Sequence, residues 1–180
     1  HGSVTFNQVN FGYLPEKTII HDFNMHVHAG QTVAIVGPTG AGKTTIVKLL
    51  MRFYELNKGS IMIDGHDILE EPEEAKKCIG YLPEMPPLYF DMTVLEYLKF
   101  VAELKKIPKD QRKKQILEVM NLVKITDMQN RLIKNLSKGY RQRVGLAQAV
   151  LGFPEIIILD EPTVAVDPQS RNKILEGIQQ

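Results

Sequence analysis

The sequence predicts an α/β fold in which an N-terminal β region and a strand–loop–helix unit are interrupted by a helical insertion. Three observations carry that prediction. Thr32 to Val36 and Ile156 to Leu159 are continuous apolar, largely β-branched runs, the pattern of strands covered on both faces. A glycine-rich stretch, Gly37 to Gly42, separates the first run from a helical pattern. Between the two apolar runs the texture turns helical, as expected when one layered core is interrupted by a second element set.

The composition fits such a domain. The 180 residues carry 22 Lys+Arg against 21 Asp+Glu, a formal net charge of +1, and 43% of them are hydrophobic. Disordered, collagen-like and low-complexity classes are excluded. A balanced charge gives no general attraction to nucleic acid or anionic membrane. The single cysteine, Cys78, forms no internal disulfide and suits a reducing compartment. No apolar run approaches the roughly 20 residues of a membrane span. Nothing at the start reads as a secretory leader, and residues 1–3 (His1-Gly2-Ser3) read as a purification-tag remnant.

In chain order, Val4 to Val9 and Phe23 to His28 alternate and predict half-buried strands. Lys43 to about Phe53 predicts a helix with Val47, Leu50 and Met51 inward. Ser60 to Ile63 is a short strand before an Asp64-Gly65 turn. Ile79 to Leu82 is another, and Pro83, Pro86 and Pro87 then impose an irregular loop. Thr93 and Glu96 make a capping box for a helix to about Lys106. Pro108 suits the first turn of the next helix, to about Val123. A further helix starts after Ser137, and Pro168 to Gln179 reads as helical.

Gly37-Pro38-Thr39-Gly40-Ala41-Gly42-Lys43-Thr44 matches G-x-x-x-x-G-K-[ST] between a strand and a helix, the context that gives the motif its meaning. Glycines let the backbone wrap a phosphate with its N–H groups inward, and the helix N-terminus adds donors and dipole. Lys43 then reaches β- and γ-phosphates and the Thr44 hydroxyl ligates Mg²⁺. Asp160, closing the second apolar run, is the expected Mg²⁺-orienting carboxylate, and Glu161 the group that polarises an attacking water.

The whole set of motifs resembles the ATP-binding domain of ABC transporters. Gly37 to Thr45 resembles its Walker A and Ile156 to Glu161 its Walker B. Leu136-Ser137-Lys138-Gly139-Tyr140 resembles its signature (L-S-G-G-Q in consensus), Val164 to Asp167 its D-loop, and Phe11-Gly12-Tyr13 its A-loop. The resemblance implies a P-loop NTPase core with N-terminal antiparallel strands and a helical subdomain. Its segments would be 4–82 with 154–180 for the core, and 83–153 for the helical part carrying the Q-loop and signature. It implies ATP and Mg²⁺ as cofactors, Tyr13 stacked on adenine, and Thr44, Asp160 and Glu84 at the metal. It implies ATP/ADP exchange and a head-to-tail homo- or heterodimer in which Ser137 and Gly139 meet the partner's nucleotide. A transmembrane domain would contact the 84–90 loop and hold the protein at the cytoplasmic face. No nucleic acid partner is implied.

Several positions depart from the family pattern. Glu84 stands where the Q-loop has glutamine, Lys138 and Tyr140 replace Gly and Gln of the signature, and Ala165-Val166 replace the usual D-loop pair. The first part, through Ile68, resembles an exporter with fused membrane domains. The part from Glu70 on resembles a separately encoded subunit, so a composite with its join near Asp67 to Glu73 is expected, the alternative being an ordinary divergent member. The family continues to a further strand with a switch histidine, and none of His1, His21, His26, His28 and His66 stands there. ATP binding with little hydrolysis is the resulting expectation.

Other residues leave alternatives. His26 and His28 share one strand face, a solvated face or part of a metal site. Cys78 reads as a small semi-buried residue with no catalytic partner. The Lys105 to Lys114 cluster reads as a solvated helix face, with nucleic acid binding the alternative that the balanced charge disfavours. The apolar loop Met85 to Tyr89 is either turn packing or a docking surface.

Overall fold

The computed structural model describes residues 2–38 and 40–160. The chain divides into two compact units, His1–Ile79 and Gly80–Gln180.

The first unit holds a four-stranded antiparallel sheet in the order β2-β1-β3-β4. Its strands are β1 (Val4–Phe11), β2 (Ile20–Val27), β3 (Lys58–Ile63) and β4 (His66–Asp67). Alternation places Val4, Phe6, Ile61 and Ile63 in the core. The β1–β3 register shifts between Asn7 and Asn10, beside Gln8 at φ 48°. Gly59 is required there, since a Cβ would lie 2.5 Å from the carbonyls of Asn7 and Gln8. Asp64 (φ 49°) and Gly65 (φ 88°) both take the left-handed conformation that a tight hairpin turn demands, joining β3 to β4. Helix α1 (Lys43–Leu50) buries Ile46, Val47, Leu49 and Leu50. It ends earlier than the sequence pattern suggests, because Arg52 turns left-handed (φ 51°). Helix α2 (Pro72–Lys77) is short, with Pro72 in its first turn followed by Glu73 and Glu74.

One expectation fails in this unit. Thr32 to Val36 is not a strand, and every residue from 31 to 38 is exposed, Val36 at 86%. An apolar run becomes a covered strand only when neighbouring ladders satisfy its backbone. Among the described residues this run pairs with none.

The second unit is mainly helical. Strand β5 (Ile79–Leu82), which begins at the division, pairs with β6 (Ile156–Leu159) in a two-stranded sheet. Helices α3 (Val94–Leu104), α4 (Lys109–Leu122) and α5 (Lys138–Val150) pack around one core that includes Tyr97, Leu98, Val119, Met120, Val144 and Ala147. The Thr93 capping box forms as the sequence predicts: Glu96 N–H donates to Thr93 Oγ1 at 3.2 Å, and Thr93 N–H donates to Glu96 Oε2 at 2.8 Å. Strand β6 is only half-buried, with Leu159 38% exposed, where a fully covered strand was expected. Among the described residues its one ladder is with β5. Thr39, Glu161, the D-loop Val164 to Asp167 and the stretch Pro168 to Gln179 lie outside the described residues.

Candidate functional site

In the first unit the glycine-rich loop leads into α1. Gly40 (φ 85°) and Gly42 (φ 87°) both adopt left-handed backbone, which explains glycine at each position. Gly42 is the N-cap of α1, and no side chain caps the first turn. A helix start without a side-chain cap suits an anion, while within the loop the Ala41 N–H donates to Pro38 O at 3.1 Å. Lys43 folds its ammonium over the loop and donates to the carbonyls of Gly37 and, at 2.9 Å, Pro38. Thr44 is exposed at the helix start, and Thr45 is buried. Tyr13 is 43% exposed. Its hydroxyl lies 3.2 Å from Thr45 Oγ1, which ties the aromatic ring to the loop's helix.

In the second unit Asp160 follows β6, and its N–H donates to Leu82 O at 3.0 Å. The Tyr81 hydroxyl donates to Asp160 Oδ2 at 3.4 Å. Burial, together with the neighbouring Asp160 charge, pushes the Tyr81 phenol above its ordinary range. Sequence reading missed Tyr81. Strand alternation was the available signal, because Gly80 and Leu82 face the core and Tyr81 the other side.

Ser137 is the N-cap of α5, accepting the Tyr140 N–H at 3.3 Å. Ser137, Lys138 and Gly139 are all exposed. A Cβ on Gly139 would meet nothing closer than Ser137 Oγ at 3.9 Å. Further along the same helix, Gly145 has no such room. A Cβ there would lie 2.6 Å from Pro86 Cβ and 2.9 Å from Leu82 Cδ1. The exposed Glu84 is held through its backbone, which accepts from Gln142 Nε2 at 2.9 Å. Beyond it Met85 (83%), Tyr89 (54%) and Phe90 (48%) are exposed while Leu88 is buried.

The remaining candidates resolve differently. His26 Nδ1 lies 2.7 Å from Thr5 Oγ1 and His26 Nε2 lies 3.2 Å from His28 Nδ1. Among the described residues no group of three or more His, Cys, Asp or Glu side chains could hold a metal ion. Cys78 is buried, its thiol donating to Glu74 O at 3.4 Å. The Lys105 to Lys114 stretch is not simply a solvated face. Lys105 Nζ donates to the carbonyls of Gln148 (2.7 Å), Ala149 (3.3 Å) and Leu151 (2.6 Å) at the end of α5. Arg112 Nε donates to Ile107 O at 2.7 Å. A sequence pattern cannot reveal that long side chains return to carbonyls of another helix.

The family model described as ABC transporter matches residues 20–164. This chain belongs to the ABC transporter family. It is 36% identical to the spermidine/putrescine import ATP-binding protein PotA of Haemophilus influenzae, over 90% of this chain and 43% of that protein. It is also 36% identical to the mitochondrial iron-sulfur clusters transporter ATM1 of Candida albicans, over 98% of this chain and 24% of that protein. The chain thus spans less than half the length of either relative. Among solved structures it is similar to an ATP-binding subunit of an ABC transporter, at TM-score 0.83 and 27% identity over 96% of this chain and 72% of the other. A bacterial Atm1-family ABC exporter with ATP bound gives TM-score 0.80 and 32% identity over 99% of this chain and 32% of that one. These likenesses agree with the α/β P-loop NTPase fold expected of an ABC ATP-binding domain. No helix among the described residues is long and apolar enough to cross a membrane.

Proposed function

We propose that this chain is the ATP-binding domain of an ABC transporter and that it binds Mg-ATP through residues 37–45. The observation that carries the reading is the loop itself: two left-handed glycines, an uncapped α1 N-terminus and the Lys43 ammonium held above the loop. In this reading the loop amides of Gly37, Thr39, Gly40, Ala41 and Gly42 and the Lys43 ammonium grip the phosphates. Tyr13 stacks on the adenine. The hydroxyl of Thr44 and the carboxylates of Asp160 and Glu84 are hard oxygen donors of the kind Mg²⁺ takes, Glu84 acting through water. When bound, the ion neutralises charge on the β- and γ-phosphates. Glu161 polarises the water that attacks the γ-phosphate.

Two such domains pair head to tail, and Ser137 and Gly139 of each reach the nucleotide of the other. The open space at Gly139 supports this, because among the described residues nothing packed around it requires a glycine there. A transmembrane domain docks on the 84–90 loop, a reading supported by the exposed Met85, Tyr89 and Phe90. The assembly then sits at the cytoplasmic face of its membrane partner. The 4–82 and 154–180 segments serve as ATPase core and 83–153 as the helical part.

In a second reading nucleotide binds but turns over slowly, none of the five histidines standing after the Asp160 strand. Steady-state phosphate release beside a Glu161→Gln control separates the two. Turnover that disappears in the control supports hydrolysis, and equal background rates support binding alone. A composite origin with its join near residues 67–73 is the finer reading of the same motifs. A natural coding sequence continuous across that stretch would overturn it.

A further inference from the structure

The turn after α1 carries a second exposed tyrosine to Tyr13. With Arg52 left-handed, its N–H donates to Leu49 O at 3.0 Å and the Phe53 N–H donates to Lys48 O at 2.8 Å. This paired closure reverses the chain over the helix end. Tyr54 then stands 5.0 Å from Tyr13, centroid to centroid, with the ring planes at 83°. The Lys48 ammonium lies 5.8 Å from the Tyr13 centroid and 5.9 Å from the Tyr54 centroid. Lys48 is one helical turn beyond Thr44, on the same face of α1.

Core packing accounts for Phe11, which contacts Tyr13 in the same edge-to-face manner at 5.0 Å and is only 3% exposed. Tyr54 also rests against Phe11 at 5.8 Å, yet that contact leaves the residue 42% exposed, as open as Tyr13 at 43%. Two exposed rings held perpendicular, with a cation at their corner, offer a planar base a face contact on one ring and an edge contact on the other.

We propose that Tyr54 is a second wall of the nucleobase site, with Lys48 holding the two rings at their angle. The inference rests on the reading of residues 37–45 as the phosphate site, and it adds a residue that selects for an aromatic base. Triphosphate alone has nothing to place in the corner.

Calorimetric titration of the full 180-residue chain with Mg-ATP and with Mg-tripolyphosphate tests it. Tyr54→Leu should weaken ATP binding about tenfold, the scale of losing one aromatic–base contact, and leave tripolyphosphate affinity unchanged. Tyr54→Phe keeps the ring and should hold ATP affinity within about twofold. Should Tyr54→Leu fail to fold, Lys48→Met should produce the same split between the two ligands. ATP affinity unchanged in the Leu or Met variant, or a parallel loss of both ligands, would overturn the second wall. Lys43→Ala binding tripolyphosphate as tightly as wild type would instead overturn the underlying phosphate site, so the two failures are distinguishable.

Discussion

The side-chain amide of Gln142, on the helix that begins at Ser137, donates to the backbone carbonyl of Glu84 at 2.9 Å. Gln142 is one of two buried polar or charged residues in the described chain, at 6% exposure, and it links α5 to the loop bearing Met85, Tyr89 and Phe90. The loop's apolar tip is exposed, yet its root is fixed to the helix whose first residues are proposed to meet nucleotide.

Gln142→Leu should therefore cost more than lost volume. It removes the amide partner of the part-buried Glu84 carbonyl, a net loss of about 0.5–1.5 kcal/mol for one hydrogen bond. Urea unfolding should show a lower midpoint at unchanged slope. A midpoint equal to wild type would mean that water replaces the amide at no cost.

Gly145 and Gly139 make a paired test on one helix. Gly145→Ala drives a Cβ to 2.6 Å from Pro86 Cβ and should destabilise by about 1–3 kcal/mol through overpacking. Gly139→Ala meets nothing nearer than 3.9 Å and should stabilise the isolated chain slightly, by up to about 1 kcal/mol of helix propensity. The same Gly139→Ala change should impair ATP-dependent pairing of two copies, read by light scattering of a Glu161→Gln background with and without Mg-ATP.

The buried Tyr97 and the Lys105 ammonium, which sits against three carbonyls on an otherwise exposed side chain, give opposite alkaline signatures. Burial, the largest cause, pushes the Tyr97 phenol up from 10.0 to about 12. The folded chain keeps that proton where the unfolded chain has released it. Tyr97 thus contributes stability that is whole below about pH 10 and is lost as pH rises through about 12, at most about 3 kcal/mol. Burial pulls the Lys105 ammonium down from 10.5 to about 8. There the sign reverses: its contribution is full above about pH 10.5 and lost as pH falls through about 8. Thermal midpoints of wild type minus Tyr97→Phe should fall between pH 10 and 12. Those of wild type minus Lys105→Met should rise between pH 8 and 10.5. Parallel profiles for wild type and both variants would contradict the assignment.

What the sequence made legible was local or closely spaced. The Thr93–Glu96 capping box, the Asp64-Gly65 turn and the helix starting after Ser137 depend on residues three or four apart, and each formed as read. Thr32 to Val36 failed because a strand needs neighbours that its own letters do not supply. The glycine-rich loop could be located from its spacing. Tyr54, Tyr81, Gln142 and Lys105 could not be singled out, because each acts through a partner placed by the fold. Lys105, in particular, looked like one more surface charge until the end of α5 came to lie against it.

Equilibrium binding of Mg-ATP to the wild-type chain and to Lys43→Ala tests the central claim most directly. Lys43 reaches over a loop with two left-handed glycines at a helix start that no side chain caps, so wild type should bind saturably. Loss of that binding by at least about a hundredfold is expected in the alanine variant, the scale of removing a charge-assisted phosphate contact together with loop order. Lys43→Ala binding ATP as tightly as wild type, with both proteins folded, would contradict it.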